Sequence, residues 1–370
     1  MMQSLAVNGY TETEVVAALH SANSVRHVSF EFRLLDRLNA KIGTLEATGG
    51  SVSLSSDAAI KRSGRFTIKD SKDIDWLNDR IQPVFRLEMP DGRYAEWGLG
   101  IFLVSSPSRQ GVGQSIYRDV VGYDVSVILE EDKFTDRHVV PSGTNYISAI
   151  NAMLIGAGIT FAEIAPLNST LPNDREFEGG TSRLTAVNTL LSEINYTSIW
   201  ADEDGLLRAS PFIMPFDQEI EYVYRSDRKS IITADAVNEL DLFSVPNSWV
   251  VVASNPDLPP MRSTYINDRI TSKTSTVNRK RTISRYAQVN NIADQAALDN
   301  YARRMAYDDS VVYDVMRFET AIMPHHSFAS NLYLDYAPLN ISSKYQEYMW
   351  SMPLQPGGRM THEARRVIFL

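Results

Sequence analysis

The chain has no cysteine. That single absence removes disulfides, thiolate metal sites and cysteine nucleophiles together. It also lacks any run of about 18 apolar residues, so no membrane-spanning helix is expected. The N-terminus lacks the basic-then-apolar order of a secretion signal. Histidine is scarce, with six in 370 residues. Cations are the minority charge, 36 Lys and Arg against 45 Asp and Glu, a net charge of -9. A polyanion such as duplex DNA is held tightly by clustered cations that displace its counterions, and this balance argues against that. The expectation is a soluble chain made in the cytosol, with no specific nucleic-acid binding and no membrane insertion.

What is present points to β structure. Aromatic residues reach 10%, including 17 Tyr and 5 Trp, types that favour strands and interfaces where a ring with a polar tip can be half buried. Hydrophobic residues at 44% and charged residues at 22% are ordinary for a folded protein. A length of 370 residues exceeds one ordinary core, so two to four domains are expected.

Along the chain, Thr11-Glu-Thr-Glu14 before Val15-Val-Ala-Ala-Leu19 reads as a capping box opening a helix over about 11–22. Val28, Phe30 and Phe32 then alternate with polar residues, a strand period of two. Ser51–Ser55, Gly64–Ile68, Gly100–Val104 and Ile116–Val121 repeat it. Val84–Met89 meets Asp91-Gly92, a strong hairpin signal, and returns through Tyr94–Trp97. Gly111-Val-Gly113 sits in a hairpin-like context. Residues 146, 147, 150, 153 and 154 give a helical face ended by Gly156 and Gly158, and Leu184 to Ile194 gives another. Asp202-Glu-Asp-Gly205 reads as a hairpin tip. Strands resume at Ile220–Tyr224 and Ser248–Ala253, followed by a loop through Pro256, Pro259 and Pro260. Asn291 to Arg304 reads as a helix, Asp308-Asp309 as a loop after it, and Val311–Phe318 and Tyr345–Trp350 as strands.

The resulting plan is an α+β, mainly β chain with two related small β-barrel domains. Its limits are an N-terminal helical segment at 1–24, a first β-barrel-like domain at 25–139, a small α+β domain at 140–218, and a second β-barrel-like domain with a helical insert at 219–370.

Chemistry-bearing residues are few. Adjacent side chains on a strand point to opposite faces, so His325-His326 serves one cation poorly. Glu130-Glu131-Asp132 and Asp202–Gly205 lack the alternating ligands and distant bidentate Glu of an EF-hand. No Gly-x-Ser-x-Gly or equivalent nucleophile motif occurs, and Gly111-Val-Gly113 lacks the third glycine of a dinucleotide loop. Asn278-Arg-Lys-Arg281 and Arg303-Arg304 read as loop and helix-end cations. No catalytic, cofactor or metal residue is expected. Arg359, His362, Arg365 and Arg366, near the C-terminus, are expected at a contact between subunits, for which planar guanidinium suits well.

Several phrases in order, Ile60-Lys-Arg-Ser-Gly-Arg-Phe-Thr-Ile68, Ile74–Pro83, Trp97-Gly-Leu-Gly-Ile-Phe102, Gly122-Tyr-Asp124, Val245-Pro-Asn-Ser-Trp249, Thr320-Ala-Ile-Met-Pro-His325 and Gly357-Gly-Arg-Met-Thr-His362, resemble the tail hub proteins of siphophages and related prophages. Members are known as minor tail proteins or as the N-terminal part of tail-associated endopeptidases and lysins. The resemblance spans about residues 25–368. It implies a baseplate-hub-like fold and a homotrimer whose six barrels make a pseudo-sixfold ring at the distal end of the tail tube. The implied partners are the distal tail or tail tube protein, the tape-measure protein and tail fibre or tip proteins. The implied place is the virion tail tip, after synthesis in the bacterial cytoplasm. Longer members carry a C-terminal peptidase or lysozyme-like region, and with the chain ending at Leu370 no such activity is expected. The alternatives are a tail-tip carbohydrate-binding module using Trp76, Trp97 or Trp200, and a cell-wall hydrolase.

Overall fold

In a computed structural model that describes residues 2–20, 25–71, 74–113, 115–233, 236–240, 242–254, 260–289, 292–311 and 314–367, helix α1 (Glu12–Leu19) opens as expected. The Thr11 side chain accepts from Glu14 N–H, and the Glu14 carboxylate accepts from Thr11 N–H. Val15 and Leu19 face inward and are buried. Eight strands follow: β1 (Val28–Leu35), β2 (Lys41–Leu45), β3 (Ala47–Ser55), β4 (Arg62–Lys69), β5 (Arg80–Glu88), β6 (Tyr94–Gly98), β7 (Phe102–Val112) and β8 (Ser115–Asp124). The Asp91-Gly92 signal closes the β5–β6 hairpin, with Gly92 at φ +79.

Close packing of aromatic rings against β4 and β8 explains two of their glycines. Gly64 and Gly122 lie directly opposite each other across the β4–β8 pair. The ring of Phe66 lies over Gly64, where an added Cβ would come 2.3 Å from Phe66 Cζ. At Gly122 an added Cβ would come 2.8 Å from Phe102 Cβ. Phe66 stands edge-on to Phe102, centroids 5.3 Å apart, and to Phe32 at 6.0 Å, so the ring has little room to yield. Gly64→Ala is expected to cost about 1–3 kcal/mol, the range for overpacking a filled core. A shift of the urea midpoint at constant slope would register it, and a variant as stable as the parent would contradict this packing.

The next segment forms an α+β unit with its own core. It contains α2 (Val127–Glu131), β9 (His138–Val140), α3 (Tyr146–Gly156), β10 (Ala162–Ile164), β11 (Arg175–Phe177), α4 (Arg183–Glu193), β12 (Trp200–Ala201) and β13 (Leu207–Ala209). Asn145 and Ser182 cap α3 and α4 by accepting from N–H groups of the first turn. The apolar faces read from the sequence, Ile147, Ile150, Met153 and Leu154 on α3 with Leu184, Val187, Leu190 and Leu191 on α4, meet in this core. Asp202–Gly205 makes the turn between β12 and β13, as expected.

The remaining elements are β14 (Tyr222–Arg225), β15 (Val237–Leu240), β16 (Ser248–Ala253), β17 (Met261–Ile266), α5 (Thr276–Arg279), β18 (Ser284–Val289), α6 (Gln295–Val311), β19 (Asp314–Ala321), β20 (Asn331–Tyr336), β21 (Ile341–Pro353) and β22 (Arg359–Arg366). Strands β17, β16 and β18 form a separate sheet covered on one face by α6, with Trp249, Val251, Leu298 and Ala302 in its core. The end of the last helix differs from the sequence reading. Helix α6 runs to Val311, so Arg303 and Arg304 lie within it and Asp308-Asp309 is helical. Asp309 is held there because its carboxylate accepts from Trp249 Nε1 at 2.8 Å and Arg285 Nη1 at 2.6 Å, tertiary bonds that no local pattern displays. Asn291, Pro256 and Pro259 lie outside the described residues.

The two β regions are joined to each other. Their strands join in one sheet of order β15-β19-β22-β21-β3-β4-β8-β7-β5-β1-β2, with β6 on β5 and the β14–β20 pair on β21. The seam is the antiparallel pairing of β21 with β3, from Met349 opposite Ser55 to Pro353 opposite Ser51. Residues of both regions also share one hydrophobic core, including Phe66, Phe85 and Trp97 from the first and Phe318, Trp350 and Met360 from the second. The chain is mainly β, with its two helical units set on this sheet.

Candidate functional site

The C-terminal quarter converges on a buried polar network. Glu347 on β21 reaches in two directions. Its Oε2 lies 2.6 Å from His326 Nδ1 and its Oε1 lies 2.6 Å from His362 Nδ1. The outer nitrogens are also matched. His326 Nε2 is 2.6 Å from the Tyr224 hydroxyl on β14, and His362 Nε2 is 2.7 Å from Thr320 Oγ1 on β19. One proton arrangement satisfies every group: each Nδ1–H donates to the carboxylate, and each Nε2 accepts from a hydroxyl. The side chains of His326, His362 and Glu347 are 0–1% exposed. His325, beside them and also buried, has no hydrogen-bond partner at either ring nitrogen among the described residues. It packs edge-on to Tyr222, centroids 4.6 Å apart.

Burial sets the titration of this cluster, because a low-dielectric interior penalises the charged form. It pushes His326 down to about 3 and His362 down to about 4, the latter opposed by its bond to Glu347. It pushes His325 well below the ordinary imidazole range. The Glu347 carboxyl is pushed up by the same burial, opposed by its bond to His362. The histidines are therefore neutral at pH 7.

The same three side chains are the set whose composition invites a metal, since one ligand atom from each lies within 4.8 Å of the others. Sequence spacing missed the grouping because Glu347 stands 21 and 15 residues from its two partners along the chain. The distances decide what holds the group together. Ligand atoms about 2.0–2.1 Å from a tetrahedral zinc stand roughly 3.3 Å apart, whereas the nitrogen–oxygen separations here are 2.6 Å. That is the length of a charge-assisted hydrogen bond. The network ties β14, β19, β21, β22 and the segment after β19 to one carboxylate, a pin in the interior.

The residues expected at a subunit contact are placed as follows. His362 is in the interior, so its side chain is withdrawn from that role. Arg359 is 64% exposed and near Glu319. Arg365 bonds Asp57 at 2.6 Å and lies over the Tyr348 ring at 3.8 Å. Arg366 approaches Asp314 at 3.4 Å. The structure does not bring these three arginines to a common site with His362. A second buried feature escaped the sequence reading. Arg62, fully buried, donates to Leu99 O at 2.8 Å and lies over Trp350 at 5.8 Å, at the seam between the two β regions.

No family model matches the chain, and no curated protein matches it. Solved structures do. A tail protein from Neisseria meningitidis MC58 is similar over 91% of this chain and 96% of its own, with a TM-score of 0.65 at 12% identity. The 43 kDa tail protein of prophage MuSo2 from Shewanella oneidensis is similar over 90% and 98%, with a TM-score of 0.61 at 10% identity. Prophage tail protein gp18 from Listeria monocytogenes EGD-e is similar over 90% and 94%, with a TM-score of 0.56 at 13% identity. The chain thus has the fold of these tail proteins over about nine-tenths of its length.

Proposed function

We propose that this chain is a structural hub protein of a phage tail tip. It forms a homotrimeric, pseudo-sixfold ring that closes the distal end of the tail tube and joins it to tip or fibre proteins. The ring opens to let the tape-measure protein and DNA pass. The observation that carries this reading is the shared fold over about nine-tenths of both chains, which leaves no large part of the molecule unaccounted for. The continuous sheet supports it. Its path ends in two strands, β15 and β2, each with one unpaired edge among the described residues, and exposed edges are where other chains add.

The competing readings find less support. Trp97 is buried, and Trp200 and Trp76 are half-buried, each with one face already engaged, by Phe328 at 5.2 Å and by Arg118 at 5.0 Å. The histidine–glutamate network that most resembles catalytic equipment is sealed from solvent. Sedimentation equilibrium tests the hub directly: a species of three times the 41.5 kDa chain mass is expected on concentration. Clearing of cell-wall material by the purified chain would instead favour the hydrolase.

A further inference from the structure

Charge is segregated along this chain in a way its net value hides. Residues 260–289 hold seven Lys or Arg against one Asp, a balance of +6, in a chain whose total is -9, so the other residues carry -15. The α+β unit, residues 125–218, holds 13 Asp or Glu against five cations, a balance of -8. The cations concentrate in and around the loop joining β17 to β18. Arg269, Lys273 and Lys280 are exposed and make no ion pair among the described residues. Between them stand large apolar side chains, Ile270 at 79% and Val277 at 50% exposure, with Tyr286 at 65% on the neighbouring strand.

The basic loop leaves its sheet at the Ser248 end, where Ser248 pairs with Ile266 and Ser284. Near the start of α6, Gln295 bonds Arg262 O at the Ala253 end of the sheet, and Ala293 packs on the core of the α+β unit. Asp309, near the end of α6, holds Trp249 and Arg285 at the Ser248 end, where the basic loop emerges. On the α+β unit, an acidic edge is likewise unpaired. Glu131, Asp136 and Glu178 are exposed and make no ion pair among the described residues. The bridge of Lys133 to Ser182, and Gly180 N–H donating to Phe134 O, bring their segments together.

We infer that the β17–β18 loop of one copy docks on the Glu131, Asp136 and Glu178 edge of a second copy. The contact is heterologous, the kind that generates a closed ring when its rotation closes. The inference rests on the homotrimer reading and names the surfaces that make it. A protein partner is favoured over nucleic acid because Ile270 and Val277 lie among the cations, a mixture suited to a protein interface. A phosphate backbone has no use for exposed aliphatic side chains.

The test is sedimentation velocity on the full chain, at low and high salt, with three variants. Arg269→Glu/Lys273→Glu/Lys280→Glu and Glu131→Lys/Asp136→Lys/Glu178→Lys are each expected to weaken self-association by roughly tenfold or more, because like charges then face each other. The chain carrying both sets is expected to regain it. Arg269→Gln/Lys273→Gln/Lys280→Gln, gentler on folding, is expected to fall between. Self-association untouched by either reversal overturns the contact while leaving the hub standing. A parent chain that is monomeric at every concentration overturns both. Duplex DNA bound by the parent and lost on reversal, with self-association unchanged, assigns the patch to nucleic acid instead.

Discussion

Glu347→Ala is expected to be among the most destabilising single changes in this protein, at about 2–6 kcal/mol for two buried donors left without an acceptor. The reason is the double load on this carboxylate. Without it, His326 and His362 both keep a buried Nδ1–H with nothing to donate to, and each unsatisfied group costs roughly 1–3 kcal/mol. Glu347→Gln separates the hydrogen bonds from the charge. The amide oxygen still accepts from one imidazole. The amide N–H₂ faces the other, which can switch tautomer, accept at Nδ1, and donate from Nε2 to Thr320 or Tyr224. Gln is therefore expected to cost far less than Ala. Urea titrations of the three proteins measure the difference, and an Ala variant as stable as the Gln variant would show that the network carries no such weight.

Acid is expected to act on the same cluster. His325, His326 and His362 have folded-state pKa values below the unfolded value near 6.5. Each therefore contributes stability that is complete above about pH 6.5 and is lost as pH falls toward the folded value, about 4 for His362 and about 3 for His326. Glu347 runs the opposite way. Its folded pKa is raised, so it contributes stability below its unfolded value that is lost as pH rises. On acidification below 6.5, unfolding exposes three imidazoles that take up protons, while the folded state gains one on Glu347 and one on Asp308, whose burial pushes it up to about 6. The balance favours the unfolded chain, at roughly 1.4 kcal/mol per pH unit for each net proton. Unfolding free energy is expected to fall steeply from pH 7 to pH 5, and His325→Phe should flatten that fall by about one proton. A stability profile level across that interval would contradict the burial of these rings as neutral groups.

Features built from neighbouring residues were legible in the sequence. The Thr11–Glu14 capping box, the Asp91-Gly92 hairpin and the apolar faces of α3 and α4 all formed as read. Each is decided within a few residues, by a side chain reaching a local N–H or by one face meeting a core. Where the reading failed, distant partners decide. Val311 and Asp309 resemble the start of a strand and a loop, yet α6 extends through them because Trp249 and Arg285 bind Asp309. The pairing of β21 with β3 joins residues nearly a whole chain apart, and alternation shows only that each is a strand. His362 looked like a surface residue among arginines. Strand alternation places it on the opposite face from Arg359 and Arg365 only once its register with Phe318 and Trp350 is fixed.

The central claim is that this fold serves as a threefold hub at the end of a tail. A cryo-electron microscopy reconstruction of the tail tip of particles containing this chain tests it most directly. The expected map shows three copies in a closed ring at the distal end of the tube, each filling two of six similar positions with its β-rich halves. A map with the chain absent from the tip, or present there as a single copy or as six, would contradict the account.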